Sequence, residues 1–276
     1  MGKPRLRLLT LAASLLASVA AAQTQTTSNF ASVGFDVATG DEAAFAQSVI
    51  ALAEDCDLIP LDEDDSVCLR QNETGGQIWI GLRDVGKAQE FVTANPGFVG
   101  QSAFPVLVQG LQSDAEWEPF EYRLAVTFSD YNIPLLVELA DPREAARFRD
   151  LAEPLNLTLD LTAFTFNPEI FEDEEAFLAA QRELGEDVSY APDYFIPSGL
   201  MGDTPSARAT FGGEILEAER MTTADGASHW RTLVRVQGGS TINVVFDDIW
   251  PELDPKPGQL ISGAFWLSAQ VPAAAQ

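Results

Sequence analysis

The stretch Leu155-Asn156-Leu157-Thr158-Leu159-Asp160-Leu161-Thr162 alternates a leucine with a polar residue at every position. Successive side chains of a β-strand point to opposite faces, so this stretch predicts a strand with one buried and one polar face. Phe164 and Phe166 continue the apolar residues one position out of phase, which predicts a β-bulge near Ala163. Short apolar runs on both sides of this strand indicate a chain rich in β-structure.

Before this strand, the pattern mixes short strands with helical spacing. Residues 32–38 are expected to form a strand, and the apolar residues from Phe45 to Ala53 predict a helix that ends near Glu54. Two runs around Gly75-Gly76 predict a hairpin, and residues 172–184 predict a second helix. The further predicted strands are 105–111, 122–128 and 135–139.

The order of elements over residues 32–100 resembles half of a glyoxalase-type βαβββ module. The metal sites of glyoxalase-type enzymes generally use more than one His or Cys ligand, whereas the chain holds one His and two Cys. The resemblance is therefore not extended to an activity.

From Arg208 onwards, strand follows strand. The predicted strands are 210–220, 230–236, 242–246 and 260–271, with turn signals at Asp225-Gly226, Gly238-Gly239 and Pro257-Gly258. This order, with Gly213-Glu214-Ile215-Leu216-Glu217 and Lys256-Pro257-Gly258-Gln259-Leu260-Ile261-Ser262-Gly263, resembles a small OB-fold. OB-folds bind ligands across one sheet face, so the resemblance nominates Trp230, Arg231, Arg235 and Trp266. The alternative is that the Trp is core and the Arg residues are solvated.

The predicted fold class is α+β. An acidic α+β domain over residues 32–195 is followed by a linker over 196–206 and an OB-like β-barrel over 207–272. The connector is rich in Pro and Gly, which favours a break between two structural regions.

The first residues have the layout of a cleavable export signal. In order, they are Lys3, Arg5 and Arg7, the apolar run Leu8 to Val19, and Ala20 and Ala22 before Gln23. A signal peptidase recognises this order of charge, apolar run and small residues, whereas a membrane anchor needs about 20 apolar residues. We expect a signal peptide over 1–22, a flexible leader over 23–31, and a periplasmic or extracellular protein with no integral membrane segment.

Cys56 and Cys68 both follow the expected signal. An even pair in an oxidising compartment predicts one disulfide. Asp62, Asp64 and Asp65 crowd the loop between the two cysteines, and hard cations prefer oxygen ligands, so a weak calcium site is one reading and a solvated acidic loop is the other.

The chain is very acidic. All 42 Asp and Glu follow residue 22 and three of the 16 Lys and Arg precede it, so the formal charge of the expected mature chain is about −29. A surface this negative disfavours binding to nucleic acid and to anionic membranes.

The sequence shows no motif for nucleophilic, metal or nucleotide chemistry. G-x-S-x-G and S-x-x-K are absent, and His229 is the sole histidine. We expect an exported, non-enzymatic protein that binds a protein or small-ligand partner. The alternative is a secreted hydrolase that uses two carboxylates in the N-terminal region, because such pairs are defined by separation in space rather than by sequence.

Overall fold

The computed structural model describes residues 28–38, 41–54, 56–86, 88–129, 131–165, 168–184, 190–200, 202, 204–250 and 253–272. The expected signal and most of the expected leader lie outside these ranges. No helix in the described part of the chain is both long enough and apolar enough to cross a membrane.

The described residues are mostly β-structure. The two α-helices are α1 (Glu42–Ala53) and α2 (Glu174–Leu184). The strands are β1 (Leu58–Pro60), β2 (Asp65–Gln71), β3 (Gly76–Asp84), β4 (Gln89–Phe98), β5 (Phe104–Ser113), β6 (Tyr122–Phe128), β7 (Ile133–Leu139), β8 (Leu155–Thr165), β9 (Glu169–Phe171), β10 (Phe195–Pro197), β11 (Arg208–Thr222), β12 (Ser228–Arg235), β13 (Thr241–Asp247) and β14 (Leu260–Gln270). Short 3₁₀ turns cover Ala31–Val33, Pro142–Arg147 and Gln237–Gly239.

Eight strands of the larger sheet close into a ring. The order around the ring is β11-β12-β13-β8-β5-β6-β7-β14, and β14 pairs back to β11. A further antiparallel pairing between β8 and β14 crosses the ring and divides it into two five-stranded barrels. The shared β8–β14 ladder therefore forms one wall of both barrels.

The C-terminal barrel is OB-like, as the sequence resemblance implied. Its strands β11, β12 and β13 form an antiparallel meander, and β14 pairs with β11. The fifth strand is β8, which runs parallel to β13 and antiparallel to β14. β8 belongs to the segment 32–195, so one sheet spans both expected domains, whose boundaries remain a prediction.

The two barrels have the same pairing pattern. β5, β6, β7 and β8 form the first set of four strands, and β14 runs parallel to β7 as its fifth. Each set therefore supplies its last strand to the other barrel. This exchange makes the two sets mutually dependent.

A line of phenylalanines fills the barrel interiors. Phe104 stacks on Phe128 with ring centroids 4.5 Å apart, and Phe211 stacks on Phe265 at 4.0 Å. Phe195 on β10 lies between these two pairs, 5.8 Å from Phe104 and 5.7 Å from Phe211. Stacked aromatic pairs add to the free energy of area burial, so this line joins the two cores.

The N-terminal region is an antiparallel sheet of four strands, in the order β1-β2-β3-β4, with α1 packed against it. Asp41 caps α1 by accepting the N–H groups of Ala43 and Ala44. The residues predicted as a first strand, 32–38, instead form a 3₁₀ turn and irregular chain. The βαβββ order is therefore not confirmed.

The predicted bulge near Ala163 is wrong. Ala163 and Phe164 stay in continuous register with Val244 and Val245 of β13. Phe164 lies on the outer face of the barrel, where Val33 and Phe98 of the N-terminal region cover it. Where both faces of a strand are buried, apolar residues no longer alternate with polar ones. This explains the consecutive apolar residues Ala163 and Phe164.

Asp160 holds the connection between the N-terminal sheet and the barrels. Its carboxylate accepts the N–H groups of Gly100 and Ser102 at 2.8 and 3.1 Å and the side-chain amide of Asn243 at 2.7 Å. A carboxylate that accepts several N–H donors is well satisfied despite its partial burial. These bonds fix the chain where it passes from β4 to β5.

Candidate functional site

The outer face of the β11–β14 ladder carries a groove formed by two clefts that meet at Thr210 and Ala264. These two residues are direct partners in the ladder and line both clefts, which measure about 550 and 430 Å³. We call these two adjoining clefts together the barrel groove. Ligand pockets in proteins commonly span about 300–1,000 Å³, so either cleft is large enough for a small molecule.

The first cleft of the barrel groove, here the arginine cleft, contains Arg208 and Trp266. They are directly opposite across the antiparallel ladder, so their side chains leave the same face next to one another. The indole ring of Trp266 is partly buried and packs on Phe164 with centroids 4.9 Å apart. Ser198 and Ser206 also line this cleft, with their hydroxyl oxygens 3.0 Å apart.

The second cleft, here the tyrosine cleft, is walled by aromatic rings. Tyr190 stacks on Tyr194 at 4.8 Å, and Tyr194 in turn faces Phe177 of α2 at 6.4 Å. Gln181 of α2 holds Tyr190 in place, because its side-chain amide both accepts from the Tyr190 N–H at 2.6 Å and donates to the Tyr190 carbonyl at 3.2 Å.

Tyr194 is the polar anchor of the tyrosine cleft. Its hydroxyl lies 3.0 Å from the hydroxyl of Ser262, and burial raises the pKa of the phenol above its ordinary value although this bond opposes the shift. A Cβ atom at Gly212 would lie 2.9 Å from the Tyr194 ring, so only glycine allows the ring to lie this close to β11. Tyr194 therefore stays neutral and keeps both donor and acceptor capacity at ordinary pH.

The residues nominated from the sequence do not form one face. Trp230 points to the barrel interior with Phe246, its partner on β13. Arg231 lies on the opposite face of β12 and pairs with Glu217 at 3.0 Å. Arg235 pairs with Glu214. Trp266 stands apart from these three in the barrel groove, and the binding role of the four residues stays a prediction.

Sequence reasoning did not single out Arg208, Tyr190 or Tyr194. Tyr190 and Tyr194 lie just before the predicted linker over residues 196–206, and aromatic residues beside a linker need a surface to pack on. That unexplained aromatic content was the available signal. No pattern in the sequence around Arg208 indicates a role, because Arg208 joins the cleft through its partner Trp266 across the β11–β14 ladder.

The acidic loop of the disulfide is held by protein contacts. The Cys56–Cys68 disulfide is present, as predicted. Asp62 accepts the N–H groups of Asp64 and Asp65 at 3.1 and 2.9 Å, and Asp65 binds Arg83 through both carboxylate oxygens at 2.7 and 3.2 Å. Among the described residues, no group of three or more His, Cys, Asp and Glu is placed to hold a metal ion.

A third cleft, of about 720 Å³, lies between α1 and β4. Its wall includes the carboxylates of Glu42, Glu90 and Glu121 together with the rings of Phe45, Phe91 and Trp117. Glu42 and Glu90 are exposed, whereas Glu121 is half-buried and accepts the hydroxyl of Thr93 at 2.7 Å. Carboxylates and aromatic rings therefore meet in this cleft.

Comparison with known proteins gives no family for the chain. No family model matches it, and no curated protein matches it. Among solved structures, it is similar to the cytoplasmic molybdate-binding protein ModG in a molybdate-bound crystal form, at 17% identity and a TM-score of 0.32. That likeness covers 63% of this chain and 97% of ModG. At this TM-score the likeness defines neither the fold nor the function of this chain.

Proposed function

We propose that this chain is an exported, non-enzymatic binding protein that takes a small ligand with a flat apolar body in the barrel groove. The observation that carries the proposal is the groove itself, with Trp266 at one end, Tyr190 and Tyr194 at the other, and the small residues Thr210 and Ala264 between them. Binding sites are typically concave, largely apolar and aromatic, with a few fixed polar groups.

A matched pair of variants tests the groove. Ala264 is exposed where the two clefts meet, so Ala264→Phe should fill the floor without disturbing the core. Ala51→Phe makes the same change on the exposed face of α1. In saturation-transfer NMR with 2-naphthol, we expect binding by the wild type and by Ala51→Phe, and loss of binding by Ala264→Phe. Equal binding by all three proteins would contradict the proposal.

Export is supported by the signal-like residues 1–22 and by the disulfide, since disulfides persist in oxidising compartments. The mature protein recovered from its native source should begin at Gln23 and contain no free thiol. Intact-mass measurement with and without alkylation checks both points. A mass that includes Met1, or two alkylated cysteines, would contradict export.

The cleft between α1 and β4 favours one alternative, a carboxylate-dependent hydrolase. Glu90 and Glu121 would act there as an acid and base pair, with the aromatic rings as platforms. Under this alternative the purified protein would hydrolyse a chromogenic glycoside from a p-nitrophenyl panel, and the variants Glu90→Gln and Glu121→Gln would each remove that activity. Our proposal expects no hydrolysis that depends on these residues.

A further inference from the structure

Arg208 differs from the arginines that form ion pairs. Eight other arginines of the described chain pair with a carboxylate, as Arg83 does with Asp65 and Arg220 with Asp248. The Arg208 side chain is exposed and has no such partner among the described residues. A chain with 42 acidic residues offers many candidates, so an unpaired guanidinium inside a cleft points to a partner from outside the chain.

The surroundings of Arg208 suit a carboxylate. The residues lining the arginine cleft include no Asp or Glu among those the structure describes. The hydroxyl groups of Thr204 and Thr210 line the same cleft and can donate hydrogen bonds to an anion. The guanidinium presents a rigid fork of N–H donors that matches a carboxylate with two parallel bonds.

The negative charge of the rest of the molecule does not cancel this local site. Exposed charges are largely screened beyond a Debye length, which is about 8 Å at physiological ionic strength. Glu169 lines the far end of the barrel groove, in the tyrosine cleft, and would repel an anion there. The groove therefore has a positive end and a negative end, which fixes the direction in which an anionic ligand lies.

We propose that the barrel groove selects organic anions that carry a carboxylate on a flat apolar body. The carboxylate binds the guanidinium of Arg208, and the flat body lies against Trp266 and over Thr210 and Ala264. The ring of Trp266 is held by Phe164, so it offers a fixed apolar surface beside the charge. This inference rests on the proposed function, because it names the class of ligand for the same groove.

Isothermal titration with two probes of the same shape tests the inference. 2-Naphthoate carries the carboxylate, and 2-naphthamide replaces it with a neutral amide. An ion pair at an exposed position contributes up to about a factor of five in affinity, so the wild type should bind 2-naphthoate several-fold more tightly than 2-naphthamide. In Arg208→Gln this preference should disappear, so that the two probes bind with similar affinity. Arg220→Gln, which removes the same charge from the other end of β11, should keep the preference.

Three other outcomes would overturn the inference or one part of it. Equal affinities for the two probes in the wild type would overturn the anion preference and leave the groove as a site for neutral ligands. A preference that survives in Arg208→Gln would overturn the role of Arg208. The wild type could also fail to bind 2-naphthoate at millimolar concentration while it still binds 2-naphthol and Ala264→Phe does not. That result would overturn the inference and sustain the proposed function.

Discussion

His229 is a fully buried base on the outer face of β12, covered by the chain around Gly34. Both ring nitrogens are buried and lack a hydrogen-bond partner among the described residues. Burial lowers the pKa of the imidazole to about 4, and the charge of Asp248 opposes this shift. The folded protein therefore holds His229 neutral at every pH above about 4.

This burial predicts a loss of stability in acid. The unfolded chain binds a proton at His229 below its ordinary pKa of about 6.5, whereas the folded chain does not until about pH 4, so the free energy of unfolding falls over this window. The expected loss from this residue is about 3 kcal/mol between pH 7 and pH 4. Urea titrations should show that the free energy of unfolding falls between pH 7 and pH 4 by about 3 kcal/mol less in His229→Met than in the wild type. An equal drop in both proteins would refute the assignment.

Glu138 on β7 has the opposite effect on stability, because its burial is costly at high pH rather than at low pH. It is buried next to Arg123, whose guanidinium lies 3.4 Å away. Burial raises the pKa of the Glu138 carboxyl to about 7, with Arg123 lowering it and Glu121 raising it further. A carboxyl whose pKa is raised on folding stabilises the protein below its unfolded pKa and loses that contribution as pH rises through 7.

Glu138→Gln should therefore stabilise the protein in alkali. Because Gln resembles the protonated carboxyl, we expect the variant to gain about 3 kcal/mol in free energy of unfolding at pH 9 and almost nothing at pH 4.5. Glu153→Gln, at an exposed position, serves as the control for the substitution itself. A gain of equal size at both pH values would mean that Gln packs better rather than that the charge is costly.

In the N-terminal region, the disulfide links the chain just after α1 to β2. Cys56 follows α1 and Cys68 lies in β2, twelve residues later. Closing a loop of this size stabilises the fold by about 3 kcal/mol in the chain-entropy model. The double variant Cys56→Ala/Cys68→Ala should lose about this amount in guanidinium unfolding at pH 7, with the barrel signals of the near-UV spectrum retained at low denaturant. An unchanged midpoint would contradict this expectation.

Most strands of the barrels could be located from the sequence, because alternation and turn residues are local signals. The predicted strand at 122–128 matches β6 at both ends, and α1 ends within a residue of Glu54. β4 was not predicted. It contains Asn95-Pro96-Gly97, three residue types that favour turns. β4 is an edge strand, where a proline costs no ladder hydrogen bond on its open side.

Errors at Phe164 and over residues 32–38 have a common tertiary cause. Both stretches are apolar because the N-terminal region packs on the outer face of the barrels. Local periodicity cannot distinguish a second buried face from a bulge, or an apolar turn from a strand.

At the scale of the whole molecule, the exchange of strands was not predictable. Nothing in residues 155–165 indicates that β8 completes a barrel built from residues 208–270, because partner choice depends on long-range pairing. The barrel groove was only partly predictable for the same reason. Trp266 was nominated from the OB-fold resemblance, whereas Arg208 gains its meaning from standing opposite that residue.

Strand exchange predicts that the C-terminal segment cannot fold alone. A fragment of residues 207–272 lacks β8, so β13 and β14 lose a shared partner and their edges stay open. We expect poor dispersion in its ¹H–¹⁵N NMR spectrum. Addition of a peptide of residues 154–165 should restore dispersed signals, and a peptide of the same composition in scrambled order should not. A fragment that is fully folded without the peptide would show that β8 is dispensable.

The central proposal is that the barrel groove binds a carboxylate ligand. A crystal structure of residues 23–276 with 2-naphthoate tests this directly. We predict density for the probe in the groove, with its carboxylate within hydrogen-bond distance of the Arg208 guanidinium and its rings against Trp266 and Ala264. A groove without the probe at a saturating concentration, or density for it only in the cleft between α1 and β4, would contradict the account.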